Sequence, residues 1–152
     1  DGRPSVVEFN VRFGDPETQV TIPLIESDLG EILLATAEGN ISSLDPVFST
    51  LSSATVVLAS EGYPDLSKTG KEISGAEVTI DEGLSRGYVH VAGAIMQGGK
   101  MVSSGGRVLA ATGIAPKLSQ AIDVAYQIID SITLEGSHFR NDIGHRALPP
   151  KE

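Results

Sequence analysis

At 152 residues and 15.9 kDa, with 40% apolar residues, the chain is long enough for one ordinary domain that buries about 68–70% of its unfolded surface. Its net charge of −9, from 11 basic and 20 acidic side chains, repels phosphate backbones and anionic bilayers, and the absence of cysteine removes disulfide and thiolate chemistry. Nucleic acid and membrane are therefore not expected as partners, no run approaches the ~20 apolar residues of a bilayer span, and a cytoplasmic location is expected. Asp1-Gly2-Arg3-Pro4 has none of the character of a signal peptide, and Leu148-Pro149-Pro150-Lys151-Glu152 reads as the start of a linker. Both ends suggest a piece of a longer polypeptide.

The opening stretch alternates: Val7, Phe9, Val11 and Phe13 are apolar, and Glu8, Asn10 and Arg12 lie between them. A strand would send the two sets to opposite faces. Glu8 and Asn10 would stand about 6.5–7 Å apart along it, so an anionic and a neutral oxygen could converge on one hard cation. Magnesium takes such ligands and shares them with substrate phosphates. Gly14-Asp15-Pro16 then turns the chain, with Asp15 placed to cap a helix that has Pro16 at its first position. The helix start, beside Arg12, could hold a phosphate or carboxylate. Asp15 and Glu17 could instead face an ammonium group, and an amphipathic strand with a merely solvated polar face would show the same pattern.

Pro23 interrupts Val20 to Ile25 and kinks any continuous helix there. Asp28 with Glu31 is a capping-box pattern, Leu29, Ile32, Leu33 and Thr36 repeat at helical spacing, and Gly39-Asn40 stops the run. Ser-rich 41–53 reads as a connection with one short helical turn. Ala54 to Ser60 is a β-branched strand ended by Glu61-Gly62-Tyr63-Pro64. Gly70 to Gly75 is expected at a sheet edge, Val78 to Ile80 pairs locally, and Tyr88 to Ala94 is a strand. Gly98-Gly99 joins Ala92 to Gln97 and Lys100 to Ser103 in a hairpin. Arg107 to Gly113 is the strongest later strand. In 116–132, Leu118, Ile122, Ala125, Ile128, Ile129 and Ile132 share one helical face, with Ser119 as the expected N-cap. The order suits an α+β fold with an antiparallel sheet.

Other constellations carry no chemistry. His90, His138 and His145 lack zinc-site spacing, there is no Gly-x-Ser-x-Gly, Asp81-Glu82 reads as a solvated loop, and the glycine pairs at 98–99 and 105–106 read as turn glycines.

The run Val-Glu-Phe-Asn-Val-Arg-Phe-Gly-Asp-Pro-Glu-Thr-Gln, from Val7 to Gln19, resembles the motif near the C-terminal end of the ATP-grasp core in phosphoribosylamine–glycine ligases, also called glycinamide ribonucleotide synthetases. Glu26-Ser27-Asp28-Leu29, Gly62-Tyr63-Pro64, Gly70-Lys71-Glu72-Ile73, Ser104-Gly105-Gly106-Arg107-Val108-Leu109 and Arg140-Asn141-Asp142-Ile143-Gly144 follow in the family's order. The resemblance spans nearly the whole chain but only the C-terminal third or so of such an enzyme.

It implies the C-terminal end of an ATP-grasp subdomain (strand plus helices) over 1–53, a small, mostly antiparallel β domain with one packed helix over 54–148, and a linker over 149–152. Gly62-Tyr63-Pro64 would border the substrate cleft. The activity implied is purine-pathway ligation of glycine to 5-phosphoribosylamine, driven by ATP through glycyl phosphate. Glu8 and Asn10 would be the magnesium (or manganese) and ATP-phosphate ligands. Arg12 would be catalytic, and Arg12, Gly14, Asp15 and Glu17 would define the small-substrate side. The family commonly reads Val-Phe-His-Ala-Gly-Thr where this chain has Val89-His90-Val91-Ala92-Gly93-Ala94. That displacement moves the histidine to the opposite strand face, so no role passes to it. Without the N-terminal part of such an enzyme the chain is expected to be inactive. The rival expectations are a docking or assembly domain for that missing part and a nucleotide-sensing module.

Overall fold

The computed structural model describes residues 4–9 and 11–148. The first segment departs from expectation. The described residues of 6–13 form no strand, and Val7, Phe9 and Val11 are 95%, 82% and 92% exposed. Alternation fits a residue for a sheet, but a strand also needs a neighbour, and no sheet among the described residues offers this segment one.

Helix α1, Thr18–Thr21, gives way to a 3-10 turn, Ile22–Leu24, so the α-helix does not continue through Pro23, as expected. The expected cap does not form. Asp15–Pro16 is a cis peptide, the N-cap is Glu17 without a side-chain bond, and the Asp15 carboxylate is taken by Arg107. Helix α2, Leu29–Ala37, begins as expected, with the Asp28 carboxylate accepting from Glu31 N at 3.0 Å, and ends at Gly39 in the left-handed region. A 3-10 turn at Ile41–Ser43 is the expected short helical turn.

The rest builds two antiparallel sheets. Strands β1 (Ser52–Ala59), β3 (Ile80–Glu82), β4 (Ser85–Val91) and β7 (Arg107–Ala115) form the first, in the order β1-β7-β4-β3. Strands β2 (Glu72–Ser74), β5 (Ala94–Gln97), β6 (Lys100–Ser103) and β8 (Thr133–Leu134) form the second, in the order β5-β6-β2-β8. Two expectations are corrected. Strand β2 is not an edge, because Thr133–Leu134 returns after the last helix to pair with it. Asp81-Glu82 is not a loop but one arm of a hairpin, turning at Gly83-Leu84 with Glu82 opposite Ser85. The hairpin at Gly98-Gly99 forms as expected, both glycines having positive φ (59° and 80°).

Helix α3, Leu118–Ser131, lies on the first sheet and buries Ala121, Ile122, Val124, Ala125, Ile128 and Ile129. Its N-cap is the extended Lys117 rather than Ser119, since Leu118 already packs against Ala54, Ala115, Ala121 and Ile122 and so starts the helix earlier. The helix comes close because two glycines oppose each other in register, Gly87 on β4 and Gly113 on β7. A Cβ on Gly113 would collide with the backbone of Ala121, and one on Gly87 would stand 2.6 Å from both Ile128 and Val124. Val56, Leu58, Leu109 and Ala111 of the first sheet share one core with Ile128 and Ile129 and with Ile73 and Leu134 of the second. The closing segment is pinned by Tyr126, whose hydroxyl donates to Arg140 O (2.7 Å) and accepts from Ile143 N (3.1 Å).

Candidate functional site

Among the described residues, the expected site residues do not all meet at one place. Glu8 and Arg12 are exposed, and the Arg12 guanidinium donates to its neighbour's carbonyl, Phe13 O, at 3.1 Å. Asn10, expected beside Glu8 as a metal ligand, lies outside the described residues. Glu17 lines a second, smaller recess, of about 290 Å³, with Ala54, Leu118 and Ile122, while its carboxylate lies against Gly14. Among the described residues no group of three or more His, Asp and Glu side chains is placed to hold a metal ion, and no helix is long and apolar enough to cross a membrane.

Gly14 and Asp15 do meet in a cavity. Where residues 13–23 pass the face of β4 turned away from α3, a recess of about 500 Å³ opens between Phe13, Gly14, Asp15, Gln19 and Pro23 on one side and Tyr88, His90 and Val91 on the other. Its size falls within the ordinary range for small-molecule sites, and its walls are mostly apolar with a few polar groups. Tyr88 and His90, two residues apart on the strand, stand edge to face with ring centroids 5.0 Å apart. Burial pushes the Tyr88 phenol up, with Arg86 opposing, and pushes the His90 imidazole down, so both stay neutral at pH 7. His90 Nε2 and Gln19 Oε1 are buried with no hydrogen-bond partner among the described residues.

Asp15 is held from both sides. Arg107 donates through Nη2 to Asp15 Oδ2 at 2.8 Å and through Nη1 to Asp15 O at 3.1 Å, while Gln19 Nε2 reaches Oδ1 at 3.4 Å. Thr18 caps the turn locally, its N–H on Gly14 O at 3.0 Å and its hydroxyl on the same carbonyl. Arg107 is itself set on a crowded base. Its carbonyl accepts from Gly93 N at 2.9 Å, and a Cβ on Gly93 would stand 2.6 Å from that oxygen. A side chain on Gly106 would run into the Tyr63 ring. Gly105 and Gly106 are therefore not left-handed turn glycines; Gly106 is there because Tyr63 fills the space.

Sequence reasoning missed Arg107, Gln19 and Tyr88 as lining or bracing residues. Arg107 meets Asp15 across 92 positions, so no local period reveals the pair. The only signal was the Ser104-to-Leu109 motif, whose glycines read as a turn.

These observations define an α+β module: two antiparallel sheets around one core, with a recess where an N-terminal segment crosses the first sheet. The chain belongs to the family described as phosphoribosylglycinamide synthetase, C domain, whose model matches residues 53–146. It is 45% identical to the phosphoribosylamine–glycine ligase of Chlorobaculum tepidum over 97% of this chain and 34% of that protein. It is also 45% identical to a bifunctional purine biosynthetic protein of Pichia angusta, over 99% of this chain and 19% of that protein. A crystal structure of phosphoribosylamine–glycine ligase from Thermotoga maritima superposes with a TM-score of 0.71 at 34% identity, covering 93% of this chain and 34% of that one. The chain thus spans about a third of the length of these ligases. The resemblance carried by the motifs and the expected α+β class both hold.

Proposed function

We propose that this chain supplies the C-terminal third of an ATP-dependent ligase that joins glycine to 5-phosphoribosylamine in purine biosynthesis in the cytoplasm, and that it is inactive alone. The observation that carries this is the 45% identity to a ligase of that name over 97% of the chain, reaching well ahead of residue 53 into the Val7-to-Gln19 segment. We place the boundary between the ATP-grasp end and the C-terminal domain near Ala54.

In this reading Glu8 and Asn10 would hold magnesium or manganese on the ATP phosphates. The donor set fits: a carboxylate and an amide oxygen are hard ligands, and such an ion is ordinarily completed by phosphate oxygens and water rather than by a protein cage. Bound there, the ion would offset charge on the phosphates. Arg12 would stabilise charge developing where glycine is activated, its planar fork suiting a carboxylate or phosphate. Gly14, Asp15 and Glu17 would shape the substrate side, and the Gly14–Asp15 recess is where that shape is visible in this chain.

The test combines the purified chain with the complementary N-terminal two thirds of the Chlorobaculum ligase and measures phosphate release with ATP, glycine and phosphoribosylamine. Activity should require both parts and all three substrates, and Glu8→Ala should lower it by at least about a hundredfold, as expected for loss of a charge-stabilising group. Activity of the chain alone would overturn its proposed dependence on the missing part. Tight association without turnover would favour an assembly module instead, a role the exposed Val7, Phe9 and Val11 would suit.

A further inference from the structure

The recess wall is built by residues 14–19, and among the described residues the long-range hydrogen bonds to that segment come from one side chain, Arg107. Its other polar ties, from Thr18 and Gln19, are local and cannot set where the segment sits on the sheet. Arg107 opens β7, is followed by the fully buried Val108, and has its own carbonyl held by Gly93. The guanidinium therefore projects from a fixed backbone.

A guanidinium offers a rigid fork, and here its two nitrogens grip different parts of one residue, the Asp15 carboxylate and the Asp15 main-chain carbonyl. A single point charge could neutralise the carboxylate, but it could not also fix the carbonyl in that geometry. Asp15 Oδ2 is paired with Arg107 at 2.8 Å, and Gln19 Nε2 lies 3.4 Å from Oδ1. The guanidinium charge paired with that carboxylate would repel a substrate ammonium group approaching it.

We propose that Arg107 is a positioning residue for the ligase reaction, acting through Asp15 to fix Gly14 and the wall of the recess, and that Asp15 serves as a strut rather than as a substrate contact. This rests on the ligase reading for its catalytic consequence but not for its structural one. Two measurements on Arg107→Gln keep them apart. In the chain alone, amide signals of Gly14, Thr18 and Gln19 should shift, while those of Ala110 and Gly113 in β7 stay in place. In the reassembled enzyme, kcat/KM should fall at least about tenfold without loss of affinity for the complementary part, and Arg107→Lys should recover only part of it. Asp15→Ala combined with Arg107→Gln should be no worse than the worse single variant.

Unmoved amides at 14–19, full activity in Arg107→Gln, or additive losses in the double variant would each overturn the proposal. If the wild-type mixture shows no turnover, the ligase reading fails first and the catalytic role of Arg107 fails with it. The amide shifts then decide whether Arg107 holds the segment at all.

Discussion

Glycine at 87 and 113 matters for what it lacks. The two residues face each other across β4 and β7, and together they make the slot in which α3 lies. Gly113→Ala forces strand and helix apart, because the obstacle is the Ala121 backbone rather than a side chain that can turn away. The expected loss is about 1–3 kcal/mol, read as a lower urea midpoint with an unchanged slope. His90 makes a second prediction at this scale. Burial lowers its folded-state pKa below the ordinary 6.5, so as pH falls through 6.5 the unfolded chain takes the proton first. Stability should therefore fall with pH below about 6.5 and level off above it. In His90→Phe, which keeps a ring beside Tyr88, that part of the slope should vanish from urea midpoints measured between pH 5 and 7.5. Neither residue could be read correctly from sequence alone. Glycine in a strand suggests a bulge or a close approach without saying which, and strand alternation sets Tyr88 beside His90 but gives no clue that Gln19 would stand near them.

Elements were legible in proportion to how locally they are determined. The Asp28 cap, the Gly98-Gly99 hairpin and the apolar face of α3 depend on residues within a few positions of one another, and each forms as expected. Strand β2 was misplaced at an edge because one of its neighbours, β8, arrives some sixty residues later. The first segment fails differently. Its alternation is real, but alternation specifies a face and not a partner. The closing segment shows the opposite case, an element with little regular structure tied down at separate points, a bridge between Ala59 and His138 and the Tyr126 hydroxyl further on. Tyr126→Phe removes an acceptor from Ile143 N and a donor to Arg140 O, both close to 3 Å or shorter. The cost should be about 1–2 kcal/mol. Hydrogen exchange at the Ile143 amide should accelerate well before that of β7, and equal protection in both proteins would show that the segment is held by other means.

On the scale of the whole molecule, one core binds the two sheets, since Ile73 and Leu134 pack with Val56, Leu109 and Ile128. Around that core, much apolar surface faces water: Val7, Phe9 and Val11 in the first segment, Leu34 on α2, and Ile95 and Met96 on the β5 edge. Against this stands a net charge of −9. These features set up a colloidal contest, in which adhesive patches attract at contact while like charge keeps molecules from arriving. Dissolved salt shortens the reach of that repulsion from about 10 Å at 0.1 M to about 3 Å at 1 M and leaves the patches untouched. Static light scattering should accordingly show a second virial coefficient that is positive in dilute buffer and turns negative as sodium chloride rises. Replacing Val7, Phe9 and Val11 by threonine should postpone the crossover to higher salt. In a crowded solution, the chain's shelf life would then be governed less by its melting point than by ionic strength.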